Sequence, residues 1–420
     1  MKTKAIRIYG KGDLRLEEFE LPAITDNEVL IKVITDSLCM STYKAQLLGA
    51  DHARVPDDVA ENPTMIGHEM CGIVEQVGKN YADKYYKGEK IVLQPALPHG
   101  EMNTVGYARR YCGGDATYAI VPEDYMANGC LLKYDGNDYF SGSLTEPYSC
   151  VIGGFHVNYH SNFTNHTHVM GIKKGGNCAL LAGVGPMGLG AIDYALNADV
   201  RPAVLTVTDI NEERLKRAEA IFSAEYAAER GVKIVYLNTS GGDPVGDILK
   251  VTGGKGYDDV FVYAPVKAVI EQADDILGFD GCINFFAGPT NKNLKAEFNF
   301  YDVHYNFSHV AGNAGGTAAD TEEALKMMSE GRLEPAVMVT HVGGLDSAAQ
   351  ATIELASHPA GKKVCYTHVS MPMTALADFE ELGKTDEFYK TLDELCKKHK
   401  GLWNAEAEEY LLTHGKKISE

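Results

Sequence analysis

The sequence LLAGVGPMGL at residues 180–189 decides the fold, because it joins an apolar run to a glycine turn and then to a helical pattern. In its G-x-G-x-x-G pattern, Gly183 allows a tight turn, Gly185 lets the backbone approach a pyrophosphate, and Gly188 lets the helix lie close to the sheet. Pro186 and Met187 would open the helix, where free N–H groups and the helix dipole attract negative charge. These five residues predict a dinucleotide-binding turn.

A carboxylate follows where such a turn needs one. Twenty-one residues past Gly188, the strand-like run 203–208 ends in Asp209. A carboxylate at this position accepts hydrogen bonds from the adenosine ribose and disfavours a 2′-phosphate, so it indicates NAD(H) without excluding NADP(H). The alternative is that Asp209 caps the helical pattern of residues 211–218, since Asp is common at helix N-termini.

Length, charge and cysteine content limit the class of protein. A chain of 420 residues favours two domains. A net charge of −19 argues against nucleic acid and anionic membranes as partners, so a phosphorylated ligand would need local basic residues. The sequence has neither a long apolar run nor a signal peptide. Its nine cysteines are scattered without the regular spacing of a disulfide-rich domain. We expect a cytoplasmic protein with free thiols.

The pattern of predicted elements changes along the chain and indicates an α/β fold. Residues 1–150 contain short β-rich segments broken by turn residues. In residues 151–313 strands alternate with helical patterns, which predicts a doubly wound parallel sheet. Residues 314–370 return to short elements and are expected to rejoin the β-rich domain. Residues 371–420 are predicted to form a charged helical extension, whose apolar stripe should pack against the rest of the same chain. The six strands expected in the parallel sheet are 179–182, 204–208, 233–237, 259–263, 282–286 and 309–311.

Candidate metal ligands lie in three stretches of the β-rich domain, at Cys39, at His68 and Glu69, and at Glu146. A thiolate, an imidazole and one or two carboxylates, with a position left for substrate, are typical of a catalytic zinc site. Ser41, two residues past the thiol, could pass a proton outward. Taken separately, each residue has an ordinary explanation, because buried Cys, satisfied His and Glu at a helix start are common.

Together with the glycine turn, these residues carry a family resemblance. The chain resembles the medium-chain, zinc-dependent alcohol and polyol dehydrogenases in Gly-His-Glu at 67–69 and Glu-Pro at 146–147, with later agreement at 315–317, 330–333, 340–341 and 361–364. The resemblance covers about residues 1–370. It implies a GroES-like catalytic domain with an inserted Rossmann domain, and hydride transfer between a nicotinamide and an alcohol or carbonyl. It also implies a homo-oligomer, a dimer or tetramer.

Within that family, residues 39–44 and 156–168 are most similar to the branch that interconverts L-sorbose 1-phosphate and D-glucitol 6-phosphate. An unphosphorylated polyol is the alternative substrate, and a non-catalytic nucleotide-binding protein is the alternative from another class. Carried over by motif, Cys39, His68 and Glu69 are the implied zinc ligands, and Glu146 competes with Glu69 for the metal. Ser41 falls at the proton-relay position.

Three positions depart from the family pattern. Thr42 replaces the usual Asp, so the ligand histidine is expected to lose its outer-shell support. Lys44 stands where many relatives have a relay histidine, and it could bind a substrate phosphate, contact the cofactor ribose or lie on the surface. Between residues 93 and 118 the only cysteine is Cys112, although the family's structural zinc needs four. We therefore predict one catalytic zinc and no structural zinc.

Overall fold

The computed structural model describes residues 1–357 and 361–418. It divides into two compact units. Unit 1 comprises Met1–Pro147, Thr317–Ser329 and Met338–Glu420, and unit 2 comprises Tyr148–Gly316 and Glu330–Val337. No helix in the described part of the chain is long and apolar enough to span a membrane.

The strands and helices follow in chain order. The strands are β1 (Lys2–Gly10), β2 (Asp13–Glu20), β3 (Val29–Leu38), β4 (Thr64–Met65), β5 (Met70–Val77), β6 (Lys90–Leu93), β7 (Tyr118–Val121), β8 (Leu131–Lys133), β9 (Tyr159–Asn162), β10 (Thr167–Met170), β11 (Asn177–Leu181), β12 (Val204–Asp209), β13 (Lys233–Asn238), β14 (Tyr257–Val262), β15 (Leu277–Phe285), β16 (His309–Ala311), β17 (Val339–Gly344), β18 (Lys362–Tyr366) and β19 (Thr374–Ala375). The α-helices are α1 (Met40–Leu48), α2 (Glu123–Ala127), α3 (Phe140–Ser143), α4 (Thr145–Val157), α5 (Pro186–Asn197), α6 (Glu212–Ile221), α7 (Ala224–Ala228), α8 (Pro244–Val251), α9 (Lys267–Asp275), α10 (Phe300–Tyr305), α11 (Ala318–Ser329), α12 (Leu345–Ile353), α13 (Phe379–Leu382), α14 (Glu387–Lys398) and α15 (Ala405–His414).

Unit 1 is built on an eight-stranded sheet in the order β19-β17-β18-β3-β5-β6-β8, with β7 also paired to β3. The central strand β3 is rich in β-branched residues, which suit a pleated and buried surface. Its three partners β5, β7 and β18 run antiparallel to it, and the register pairs Lys363 with Leu38 and Met70 with Asp36. The end of β3 therefore lies beside the first residues of β5 and β18, although these segments are far apart in sequence.

The C-terminal helices belong to unit 1 and pack on it, as the apolar stripe predicts. Phe379 and Leu392 are fully buried. The indole N–H of Trp403 donates to the Tyr366 hydroxyl at 2.7 Å. The buried Glu408 carboxylate accepts the Tyr366 hydroxyl proton at 2.9 Å, together with backbone N–H groups at the start of α3. These contacts anchor α15 to the strand β18.

Unit 2 contains a six-stranded sheet in the order β13-β12-β11-β14-β15-β16, and every neighbouring pair is parallel. All six predicted strands are present, which confirms the doubly wound α/β fold. The strand order reverses at β11, and in such sheets ligands bind beyond the carboxyl ends of the strands at this switch point. The glycine turn of residues 183–188 follows β11 directly.

Candidate active site

The glycine turn has the backbone geometry that close approach of a ligand requires. Helix α5 begins at Pro186 with Gly185 as its N-cap, and no side chain caps its first N–H groups. A Cβ on Gly188 would overlap the carbonyl of Gly183, so only glycine allows the helix to pack against the turn. A Cβ on Gly185 would meet nothing within 4 Å. Gly185, Pro186 and Met187 are half-buried, so their backbone is open to a ligand.

Asp209 ends β12 and is not the cap of the following helix. Its carboxylate accepts the backbone N–H of Asn211 at 2.9 Å. The cap of α6 is Asn211, whose amide oxygen accepts the backbone N–H of Arg214 at 3.0 Å. The N-cap alternative for Asp209 is therefore wrong, and its ribose role stays a prediction.

The register of the unit 1 sheet brings three of the predicted ligands together. Cys39 follows β3 and stands at the N-cap of α1, while His68 and Glu69 precede β5. The Cys39 thiol, a His68 ring nitrogen and a Glu69 oxygen all lie within 4.8 Å of one another. His68 and Glu69 are buried and Cys39 is half-buried. A thiol, an imidazole and a carboxylate at this spacing fit a zinc ion with an open position.

Gly67 has a physical reason to precede His68. Its φ is +85°, and a Cβ there would lie 2.5 Å from the Asp36 carboxylate. Asp36 is itself fully buried, and its Oδ1 accepts the backbone N–H of Glu69 at 2.8 Å. Only glycine can make this turn beside a buried carboxylate, and the turn directs the next two side chains into the metal-binding group.

Two hydroxyl groups flank the His68 ring. Thr42 Oγ1 lies 3.3 Å from Nδ1, and Ser41 Oγ lies 3.2 Å from Nε2. Ser41 also donates to the Cys39 thiol at 2.9 Å. The expectation that Thr42 leaves the histidine without outer-shell support is therefore wrong, because its hydroxyl stands at the ring nitrogen in place of a carboxylate. Burial lowers the pKa of His68 to about 4, so the ring is neutral at pH 7, as metal binding requires.

Lys362 is a site residue that the sequence reasoning missed. Its Nζ donates to both Glu69 oxygens, at 2.5 Å for Oε2, and the Ser37 hydroxyl also donates to Glu69. The side chains of Lys362 and Glu69 are 4% and 1% exposed. Burial alone would lower the pKa of Lys362, but the charges of Glu69, Cys39 and Glu146 and the hydrogen bond to Glu69 together outweigh burial and raise that pKa. The signal in the sequence was the pair of lysines at 362 and 363, which precedes the apolar residues 364–366.

Glu146 and Lys44 complete the predicted set. Glu146 lies in the first turn of α4, is buried, and falls outside the group formed by Cys39, His68 and Glu69. Burial raises the pKa of the Cys39 thiol to about 12, and the charges of Glu69 and Glu146 add to the rise. Lys44 is half-buried on α1, and burial lowers its pKa.

Sequence comparisons agree with this geometry. Residues 25–130 match the model of the alcohol dehydrogenase GroES-like domain, and residues 186–330 match that of the zinc-binding dehydrogenases. The chain belongs to the medium-chain, zinc-dependent alcohol and polyol dehydrogenases, whose members use zinc and NAD(P).

Particular relatives cover almost the whole chain. It is 46% identical to a mannitol-1-phosphate 5-dehydrogenase from Aliivibrio fischeri, over 98% of this chain and 97% of the relative. It is 43% identical to an L-sorbose 1-phosphate reductase from Klebsiella pneumoniae, over 99% of both chains. Among solved structures, 2R,3R-butanediol dehydrogenase from Bacillus subtilis superposes with a TM-score of 0.70 at 25% identity, covering 87% of this chain and 99% of the other.

Proposed function

We propose that this enzyme transfers hydride between NAD(H) and a phosphorylated hexose derivative, reducing a ketose phosphate or oxidising the matching polyol phosphate. L-sorbose 1-phosphate and D-glucitol 6-phosphate are the proposed pair, and the enzyme acts in the cytoplasm as a homo-oligomer. The observation that carries the proposal is the full-length similarity to two relatives that are both named for phosphorylated hexose substrates. An unphosphorylated polyol is the competing substrate, since the family also contains sorbitol dehydrogenases.

Each of several side chains of unit 1 is assigned one role in the proposed reaction. Cys39 and His68 hold the zinc, together with Glu69 or Glu146, and the metal supplies Lewis acidity at the substrate oxygen. Ser41 moves the proton, since its hydroxyl already contacts both the Cys39 thiol and His68. Thr42 orients the His68 ring from its other nitrogen. Lys362 holds Glu69 beside the metal position.

The test is an NADH oxidation screen with zinc-loaded protein. The substrates are L-sorbose 1-phosphate, fructose 6-phosphate and their unphosphorylated ketoses. We expect a kcat/KM at least about 10-fold higher for the phosphorylated sugars, since one hydrogen bond to a charged group contributes about 1.5–3 kcal/mol. Equal kcat/KM values for phosphorylated and free ketoses would support the unphosphorylated polyol instead.

Asp209 is proposed to set the choice of cofactor. We expect Asp209→Ser to lower kcat/KM with NADH by about 10- to 100-fold, because two ribose hydroxyls lose a charged acceptor. The variant should use NADPH better than the parent does, because the repulsion of a 2′-phosphate is removed. Asp199→Ser is the matched control, since Asp199 is an exposed carboxylate paired with Arg332. A parent enzyme that uses NADPH as well as NADH would contradict the proposal.

Lys44 is proposed to contribute positive charge at the substrate phosphate. The chain carries a net charge of −19, so a bound dianion needs local cations. We expect Lys44→Met to raise KM for the sugar phosphate by a factor worth about 1.5–3 kcal/mol, and to change KM for the free ketose far less. Equal losses on both substrates would show that Lys44 serves the proton pathway or the cofactor.

A further inference from the structure

Arg54 lies next to the metal-binding group and is not part of the sequence-predicted site. Its guanidinium carbon is 5.3 Å from the centroid of the Tyr107 ring. That ring stacks on the ligand His68 with centroids 5.1 Å apart, and it also stacks on His52. Tyr107 is buried and Arg54 is half-buried. One aromatic ring therefore separates a permanent positive charge from a metal ligand.

The backbone of the loop after α1 holds Arg54 in this position. Gly49 ends the helix with φ +55°, and a Cβ there would lie 2.5 Å from the backbone nitrogen of Lys11. The N–H of His52 donates to the Gly49 carbonyl at 2.9 Å, and the N–H of Arg54 donates to His52 Nδ1 at 3.2 Å. The next residue, Val55, is buried in the core. Arg54 therefore lies in a short loop that is held by backbone hydrogen bonds on one side and by the buried Val55 on the other.

The charge of Arg54 is not used in an ion pair within the described residues. Three other arginines of unit 1, Arg7, Arg15 and Arg109, each pair with a carboxylate. Arg54 instead lies over an aromatic ring, an arrangement that orients the planar guanidinium and leaves its N–H groups available. In a chain with 58 acidic and 39 basic residues, an arginine beside the metal-binding group supplies local positive charge that a bound anion needs.

We infer that Arg54 binds the phosphate group of the substrate from its position beside the Tyr107 ring. This inference rests on the proposed function, because it assumes a phosphorylated substrate at the same site. Guanidinium suits the role, since it offers two parallel N–H donors to two phosphate oxygens. Lys44 and Arg54 would then share the charge of a dianion.

The test compares Arg54→Gln, Arg54→Lys and the control Arg110→Gln, which changes an exposed arginine three residues past Tyr107. We expect Arg54→Gln to raise KM for the ketose phosphate about 10- to 100-fold more than KM for the free ketose. Arg54→Lys should recover part of the loss, because it restores charge without the two-donor geometry. Inorganic phosphate should compete with the ketose phosphate in the parent and much less in Arg54→Gln. Equal NADH binding and melting temperature would show that the variants fold.

The outcomes separate this inference from the proposed function. The inference alone is overturned if the parent prefers ketose phosphates but Arg54→Gln changes KM for the phosphorylated and the free ketose equally, or changes neither. A parent that does not prefer ketose phosphates overturns the proposed function. In that case competition by inorganic phosphate decides about Arg54: inhibition of the parent that Arg54→Gln abolishes supports an anion site, and inhibition that is absent or unchanged overturns it.

Discussion

Cys39→Ala is expected to lower kcat/KM by more than about 100-fold, because losing an outer-shell partner of a metal ligand already costs about 10- to 100-fold. Cys39 is the only thiol in the group with His68 and Glu69 among the described residues. Without it, His68, Glu69 and Glu146 remain of the predicted ligands. Zinc content measured after dialysis should fall well below one ion per chain, while NADH binding stays near that of the parent.

Cys112→Ala is the matched control for this prediction. Cys112 is fully buried in the apolar core of unit 1, so its thiol packs as a small hydrophobic group. The control should keep one zinc per chain and full activity, with a modest loss of stability. It also tests the prediction that no structural zinc is present, since a second ion lost with Cys112 would contradict that prediction. Full zinc occupancy in an active Cys39→Ala protein would contradict the assignment of Cys39.

Lys362→Met is expected to lower the free energy of unfolding by about 3–5 kcal/mol, the usual cost of leaving one member of a buried ion pair without its partner. Glu69 is 1% exposed, and among the described residues the Ser37 hydroxyl would be its remaining side-chain donor. Urea unfolding measures the loss. If Glu69 is a zinc ligand, the loss should be smaller in zinc-loaded protein than in metal-free protein, because the cation replaces the ammonium group.

Two further variants identify the cause of any loss. Adding Glu69→Gln to Lys362→Met should recover much of the stability, because neither member of the pair then carries a charge. Lys363→Met changes the next residue of the same strand, which is also buried but forms no ion pair in the described part of the chain. Its effect should be much smaller. Equal losses for Lys362→Met and Lys363→Met would show that the ion pair with Glu69 contributes little.

The sequence alone determined the nucleotide-binding half of this enzyme, because that half is encoded locally. The glycine turn, the strand before it, the helix after it and Asp209 lie within about thirty residues, and each has a spacing dictated by backbone geometry. The metal ligands could be named one by one, but only the family resemblance joined them. Each has an ordinary role when it is considered separately.

Only the tertiary structure decided how the site is assembled. The antiparallel pairing of β18 with β3 places Lys362 on Glu69, across nearly three hundred residues of sequence. No local pattern predicts such a contact, because strand register depends on the whole sheet. The same holds for Thr42. The family pattern predicts that Thr42 leaves the histidine without support, although its hydroxyl lies 3.3 Å from the His68 ring nitrogen. It also holds for Arg54, whose position beside the metal-binding group depends on how the Tyr107 ring packs against His68.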